Sequence, residues 1–262
     1  MSTSSGNGHG HAPNPAELAR KISAQAVYDR PMVKRFYKSV SLREQPGGVG
    51  LVLDERPVKT PLKKTLLMPN RHLGEAVMQE WERQEEHIDP GSMMLTKLCN
   101  TALDRVGDDR ARIIGEIVDY ANADLLCYRA EGPVELVARE CTLWDPVLDW
   151  ASEDLGAQFS TTTGIIHQNQ SADCLAAFRR FVEGLNDFAM AGYHNAMTMT
   201  GSAVLAAAAL RRHLRAEEIW SLAHVDEDWQ IEQWGPDEEE AERRSGRRAE
   251  FQGIIEFLML LD

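Results

Sequence analysis

The chain has 262 residues and is 43% hydrophobic, enough for a buried core in one large domain or two modest ones. Its 28 Lys and Arg stand against 41 Asp and Glu, and a formal charge of -13 argues against nucleic acid or an anionic membrane as the main partner. No run reaches the ~18 consecutive apolar residues of a membrane span, so a soluble globular protein with a basic or neutral protein partner is expected.

Met1 to Pro15 is Ser, Gly, His, Asn and Pro, too polar to fold alone. A largely disordered tail is expected over residues 1–30, with a short helix around Leu18 and Ile22, and His9 and His11 read as tail residues and not as metal ligands. The opening lacks the apolar core of a secretory signal and is Arg-poor until Arg20, so a cytoplasmic location is expected and a mitochondrial transit peptide is not.

Between Val33 and Pro69, short apolar runs are punctuated by Gly and Pro, which predicts a small antiparallel sheet. Gly47 and Gly48 suit a hairpin turn, Asp54-Glu55-Arg56 forms a second turn, and Pro57 and Pro61 belong at strand ends or an edge. The GGVG run lies between strands and lacks a following helix, so it is no phosphate loop.

Asn70 then caps a predicted helix whose apolar stripe is Leu73, Val77, Trp81 and Ile88. Glu80 and Gln84 fall inside that stripe, where a carboxylate must either be bonded within its own core or meet a partner. Trp81 is expected to pack this helix against the sheet. Pro90-Gly91 makes a corner, a second helix carries Leu95, Leu98, Ala102 and Val106, and Gly107 is placed as its stop.

Asp108 or Asp109 caps the next predicted helix, with Ile113, Ile114, Ile117 and Val118, and Gly132-Pro133 ends this region. The stripe Leu136, Cys141, Trp144, Val147, Leu148 and Ala151 follows, with Pro146 forcing a kink or a new start. Ile165 and Ile166 suggest a short extended piece, and Ser171 caps a helix bearing Leu175, Phe178, Val182 and Leu185. Met197 to Leu210, rich in small residues, is predicted as one central buried helix.

Glu217 to Gly235 is also predicted as one helix. Ile219, Leu222, Ala223 and Trp229 share a face, and Asp226 and Gln230 sit at its centre. Two helices thus each place a carboxylate and an amide on an otherwise dry face. Glu80, Asp226 and Gln230 are expected to line a partly exposed docking groove, with Glu227 and Trp234 as further contacts. Pro236 opens the last helix in its first turn, followed by an acidic run, an Arg-rich solvated face and an apolar end from Ile254 to Leu261.

Cys99, Cys127, Cys141 and Cys174 are widely spaced with no CxxC pair, so reduced thiols are expected, with no disulfide or zinc framework. HExxH, GxSxG, P-loop and dinucleotide fingerprints are all missing from the sequence. No cofactor, metal or catalytic residue is assigned. The remaining enzymatic reading is a hydrolase using Glu80 and Asp226 as an acid/base pair, and a scaffold for some other complex is a third.

Several motifs in consistent order, from about residue 34 to 235, carry a family resemblance. They are RFYK at Arg35, LDERPVKTP at Leu53, EW at Glu80-Trp81, LTKLCNTALD at Leu95, Asp124 with CYR, WDP at Trp144 and DEDWQIEQWG at Asp226. Together they resemble the assembly chaperones of the F-type ATP synthase catalytic head. The resemblance implies a non-enzymatic chaperone that binds the unassembled α subunit and shields its β-facing surface, and a monomer is expected when it is free. It implies an important acidic position at Asp226, and Trp81, Pro90, Asp124 and Trp144 are assigned structural roles. Asn122 and Gly201 depart from the family pattern. The fold class expected from residues and resemblance alike is α+β: a small antiparallel β domain with a closing helix over 31–89, then an all-helical domain over 90–262.

Overall fold

The β-rich segment builds around one buried strand. Residues 33–261 are described by a computed structural model, and the expected N-terminal tail with its short helix lies outside them. Strand β1 (Val40–Gln45) pairs antiparallel with β2 (Gly48–Leu53), whose residues from Val49 on are all buried. Glycine is required at 48, where φ is +148° and an added Cβ would lie 2.0 Å from the Met68 carbonyl oxygen. Asp54 and Glu55, both at positive φ, form the two-residue turn into β3 (Arg56–Pro57), and β4 (Leu67–Met68) pairs with the other end of β2. Pro57 sits on this short outer strand, where a missing N–H costs least.

Helix α1 (Arg71–Glu82) covers the sheet with Leu73 and Val77. Its cap is the Asn70 side chain, which accepts from the Leu73 N–H at 2.9 Å. Trp81 is half-buried, 5.7 Å from the Tyr37 ring, and the Tyr37 hydroxyl donates to the Trp81 carbonyl at 2.7 Å. The helix ends before Ile88, which instead belongs to an extended stretch donating to the Val33 carbonyl at 2.8 Å.

Gly107 does not stop a helix. After a 3-10 turn at Pro90–Ser92, α2 (Met94–Thr101) runs through a π turn, Ala102–Val106, straight into α3 (Gly107–Asn122), and Gly107 itself is helical at φ -58°, ψ -44°. The widened turn carries Asp104, which accepts from the Thr60 hydroxyl (2.6 Å) and the Leu62 N–H (2.9 Å) and so ties the helix to the loop after β3. With no helix start there, Asp108 and Asp109 cap nothing.

Helix α4 (Val134–Leu155) likewise continues through Pro146 without a new start. Strands β5 (Tyr128–Arg129) and β6 (Thr162–Thr163) pair in parallel, and Ile165 and Ile166 lie just beyond β6, exposed and outside any strand. Ser171 caps α5 (Ala172–Glu183), accepting from the Cys174 N–H. The expected single helix at Met197 to Leu210 is two: α6 (Asp187–Thr200) ends at Gly201, φ +70°, and Ser202 caps α7 (Ala203–Leu210). Every residue of α7 from Ala203 to Ala209 is buried, small side chains letting neighbouring helices close on it.

The segment Glu217 to Gly235 is also two helices, α8 (Ala216–Ala223) and α9 (Val225–Trp234), followed by α10 (Glu238–Met259). Asp237, not Pro236, begins the last helix, its side chain accepting from the Glu240 N–H at 2.9 Å. The apolar end of α10 docks Phe251, Ile254, Phe257 and Leu258 into the core. One hydrophobic cluster extends from Leu51 and Leu73 to Phe257, so the α+β architecture has sheet and helices sharing a core.

Candidate functional site

The break at His224 determines what α9 presents. His224 leaves helical geometry (φ -124°, ψ 25°), is buried, and its Nδ1 lies 2.7 Å from the Trp220 carbonyl oxygen with the two rings 3.9 Å apart. Burial holds this imidazole below its ordinary range. A wheel drawn through Glu217 to Gly235 as one helix loses phase here, and only Val225 of α9 is buried. Asp226 and Gln230 are therefore exposed, not seated at the centre of a dry face, which corrects the sequence expectation.

Gly235, at φ +85°, turns the chain from α9 into α10, and the two helices with the end of α8 enclose a wedge of about 730 Å³. Glu227, Gln230 and Trp234 meet in this wedge, against Trp220, Ile231 and Ala241. Trp234 is 88% exposed, an unusual place for so large an apolar side chain unless something covers it. The walls are held by charge: Arg244 of α10 pairs with Asp228 and reaches Glu227 at 3.9 Å, and Arg248 pairs with Glu217. Donation from Arg248 and then Gln252 holds the Glu217 carboxyl below its usual range.

Asp226 takes a different place, beside Glu140 of α4. Glu140 is buried, accepts from the Ala130 N–H at 2.8 Å, and is pushed above the ordinary carboxyl range by burial first and by its hydrogen bond with Asp226 next. Its neighbour Arg139 grips Glu232 through two bonds (2.9 and 2.8 Å) and lies 4.9 Å over the Trp229 ring. These contacts clamp α9 onto α4. Arg139→Ala is expected to loosen α9, seen as faster amide exchange in α9 with little change in global melting. Equal exchange in both proteins would contradict the clamp. Sequence reasoning missed Glu140 although it occupies the Leu136–Trp144 stripe, the signal that singled out Glu80.

Glu80 does not reach the wedge. It is 8% exposed, and its carboxylate accepts from the Leu95 N–H (2.7 Å), the Thr96 N–H (2.8 Å) and the Thr96 hydroxyl (2.7 Å). Gln84 is bonded inward too, to the Glu80 carbonyl, Ser92 and the Asp89 N–H. Both belong to the α1–α2 joint, so Glu80 leaves the docking surface. An acid/base pair of Glu80 with Asp226 is not assembled, since the two side chains are held by different helices with different partners.

The residues given structural roles are placed as follows. Pro90 opens the 3-10 turn that Asp89 caps. Asp124 is fully buried and accepts from the Leu126 N–H (3.0 Å), the Ser202 hydroxyl (2.7 Å) and the Val204 N–H (3.0 Å). Trp144 is buried, donates to the Leu222 carbonyl at 2.9 Å, and has the Arg129 guanidinium 5.1 Å from its ring centre. All four cysteines are free thiols.

Comparison with known proteins places the chain in the class of chaperones. The family described as ATP12 chaperone protein matches residues 34–152. The mitochondrial atp12 protein of Schizosaccharomyces pombe is 23% identical over 224 residues, which is 81% of this chain and 77% of that one. The crystal structure of Atp12 from Paracoccus denitrificans superposes with a TM-score of 0.83 at 35% identity, covering 88% of this chain and 99% of that one. An Agrobacterium tumefaciens structure gives 0.85 at 39% identity, with 96% and 93% covered. The chain belongs to the Atp12 family, whose chaperones serve assembly of the ATP synthase.

Proposed function

We propose that this chaperone binds the unassembled α subunit of the F-type ATP synthase and covers the surface α later offers to β, releasing it as the catalytic head forms. It acts without catalysis, as a monomer when free, and in a bacterial cytoplasm, the setting in keeping with its bacterial structural relatives. The observation that carries the reading is Trp234, held open in the α9–α10 wedge beside Glu227 and Gln230. A large aromatic anchor with an acidic rim suits a client surface that is apolar and carries Arg or Lys.

The test is co-expression with α in the absence of β, followed by recovery of the complex. Trp234→Ser should leave the fold intact, because the side chain is already in water, and should weaken capture by about 2 kcal/mol or more, some thirtyfold. Glu227→Gln, in the acidic rim, should weaken capture more mildly, with circular dichroism confirming the fold. Undiminished recovery of α by folded Trp234→Ser would sink the wedge as the docking site. Recovery only of proteins foreign to the synthase would favour the scaffold reading.

A further inference from the structure

The charge of the sheet region is opposite to that of the chain. Residues 33–69 hold eight Lys or Arg against three Asp or Glu, a net of +5 within a total of -13. The same region contains a groove of about 500 Å³ between the Phe36–Tyr37 segment and β3. Leu53, Val58 and Trp81 give it an apolar lining, and Phe36 stands at its side 69% exposed.

Among the described residues the groove has one carboxylate, and it is already occupied. Asp54 accepts from the Ser39 N–H (2.9 Å), the Lys38 N–H (3.1 Å) and the Ser39 hydroxyl (3.0 Å), bonds that hold it below the usual carboxyl range. Arg56 and Lys59 also line the groove, and among the described residues neither has an ion-pair partner, whereas Arg71, Arg112, Arg139 and Arg243 on the helices are all bridged. Among the described residues the Lys59 ammonium donates to the Thr65 hydroxyl alone, at 3.0 Å. Pro57 has no N–H to offer an added strand, so recognition here runs through side chains and not through extension of the sheet.

We propose that this groove is a second docking site, taking an extended acidic protein segment whose apolar side chain packs against Phe36 and Trp81 while its carboxylates pair with Arg56 and Lys59. It depends on the chaperone reading only for the segment's origin in a client. Such a site would speed capture by attraction over a Debye length and would weaken as salt rises.

The experiment titrates the full chain into a fluorescent peptide of Asp, Glu and Ser with one central Phe, read by anisotropy. Comparators are the peptide with Lys at each acid and vesicles of phosphatidylglycerol. The acidic peptide should bind and the Lys peptide should not, with the affinity falling about tenfold in R56E/K59E and several-fold in F36S. Arg43→Glu, the same kind of charge reversal outside the groove, should leave the affinity within about twofold. Equal binding by R56E/K59E, no binding by the native chain, or a preference for the vesicles overturns the proposal. So does a dimer that R56E/K59E dissolves, since a second copy would then be the occupant. Capture of α by R56E/K59E, measured in parallel, reports on the wedge: loss of peptide binding with some α capture retained supports two separate sites, and failure of α capture by the native chain strikes the other reading alone.

Discussion

Glu80→Ala is expected to destabilise the protein by about 3–5 kcal/mol, because three buried donors lose their acceptor together and each orphaned donor costs on the order of 1–3 kcal/mol. The donors are the Leu95 N–H, the Thr96 N–H and the Thr96 hydroxyl, at 2.7, 2.8 and 2.7 Å. They open α2, a helix whose own N-cap residue, Met93, supplies no side-chain bond. A carboxylate from α1 thus caps α2 across the Pro-Gly corner, where the positive end of the helix favours negative charge. Against this stands the cost of enclosing Glu80, since burial, the largest influence on it, pushes its carboxyl above the ordinary range. The geometry decides for the bonds: removal of the side chain leaves the donors in place and creates a cavity between the helices.

The damage should extend into the sheet. Thr96 also accepts from the Trp81 indole N–H at 3.2 Å, and Trp81 packs on Tyr37, so the cap, the indole and the sheet form one chain of contacts. At a few degrees per kcal/mol for a protein of this size, the melting temperature should fall by about 10 °C. Glu80→Gln keeps one acceptor oxygen and should lose roughly half as much. A loss below about 1 kcal/mol for Glu80→Ala would mean that water replaces the carboxylate and that the joint is not held by it.

Those contacts separate what was legible in the sequence from what was not. Local signals are legible where a single residue's chemistry decides: Asn70 and Ser171 cap their helices, and the glycines and Asp54-Glu55 turn the strands. The stripe of α1 correctly showed Glu80 to lie among apolar residues, but periodicity is silent on whether a neighbouring helix brings donors to it. Helix breaks were lost where tertiary bonds set them. The interruption at Gly201-Ser202 follows from a glycine at positive φ and a serine that caps the next helix while donating to Asp124, 78 positions earlier. The continuation through Gly107 follows from Asp104 reaching back to Thr60 and Leu62. The break with most bearing on function is His224, because a one-residue interruption takes Asp226 and Gln230 off the face that Ile219 and Leu222 bury, and of the residues expected to dock a partner only Glu227, Gln230 and Trp234 share one groove.

Asp124 should make stability depend on pH in a way that its amide variant lacks. The carboxylate is sealed between the end of α3 and the start of α7, and burial, outweighing its hydrogen bonds, raises it from the ordinary 3.8 to about 6. A group raised in the folded state holds its proton more tightly there than in the unfolded chain. Its contribution is therefore most favourable below about pH 4, declines as pH rises between 3.8 and about 6, and is constant above that. A difference of roughly two pKa units corresponds to about 3 kcal/mol.

Asp124→Asn removes this titration. It also turns an amide nitrogen toward one of three donors, the Leu126 N–H, the Ser202 hydroxyl or the Val204 N–H, so it should be less stable than the native protein at neutral pH by about 1–3 kcal/mol. The stability advantage of native over variant should then shrink by about 2 kcal/mol between pH 4 and pH 7, measured by urea unfolding of both proteins at each pH. Glu80 and Glu140 are also raised, but they are common to both chains and cancel in the difference. The nearby Cys174 thiol, at about 11, titrates outside the window. A difference that stays flat with pH would show that Asp124 keeps one protonation state across the range. A difference that grows with pH would show that its three donors outweigh burial, making it a low-pKa anchor of the α6–α7 break.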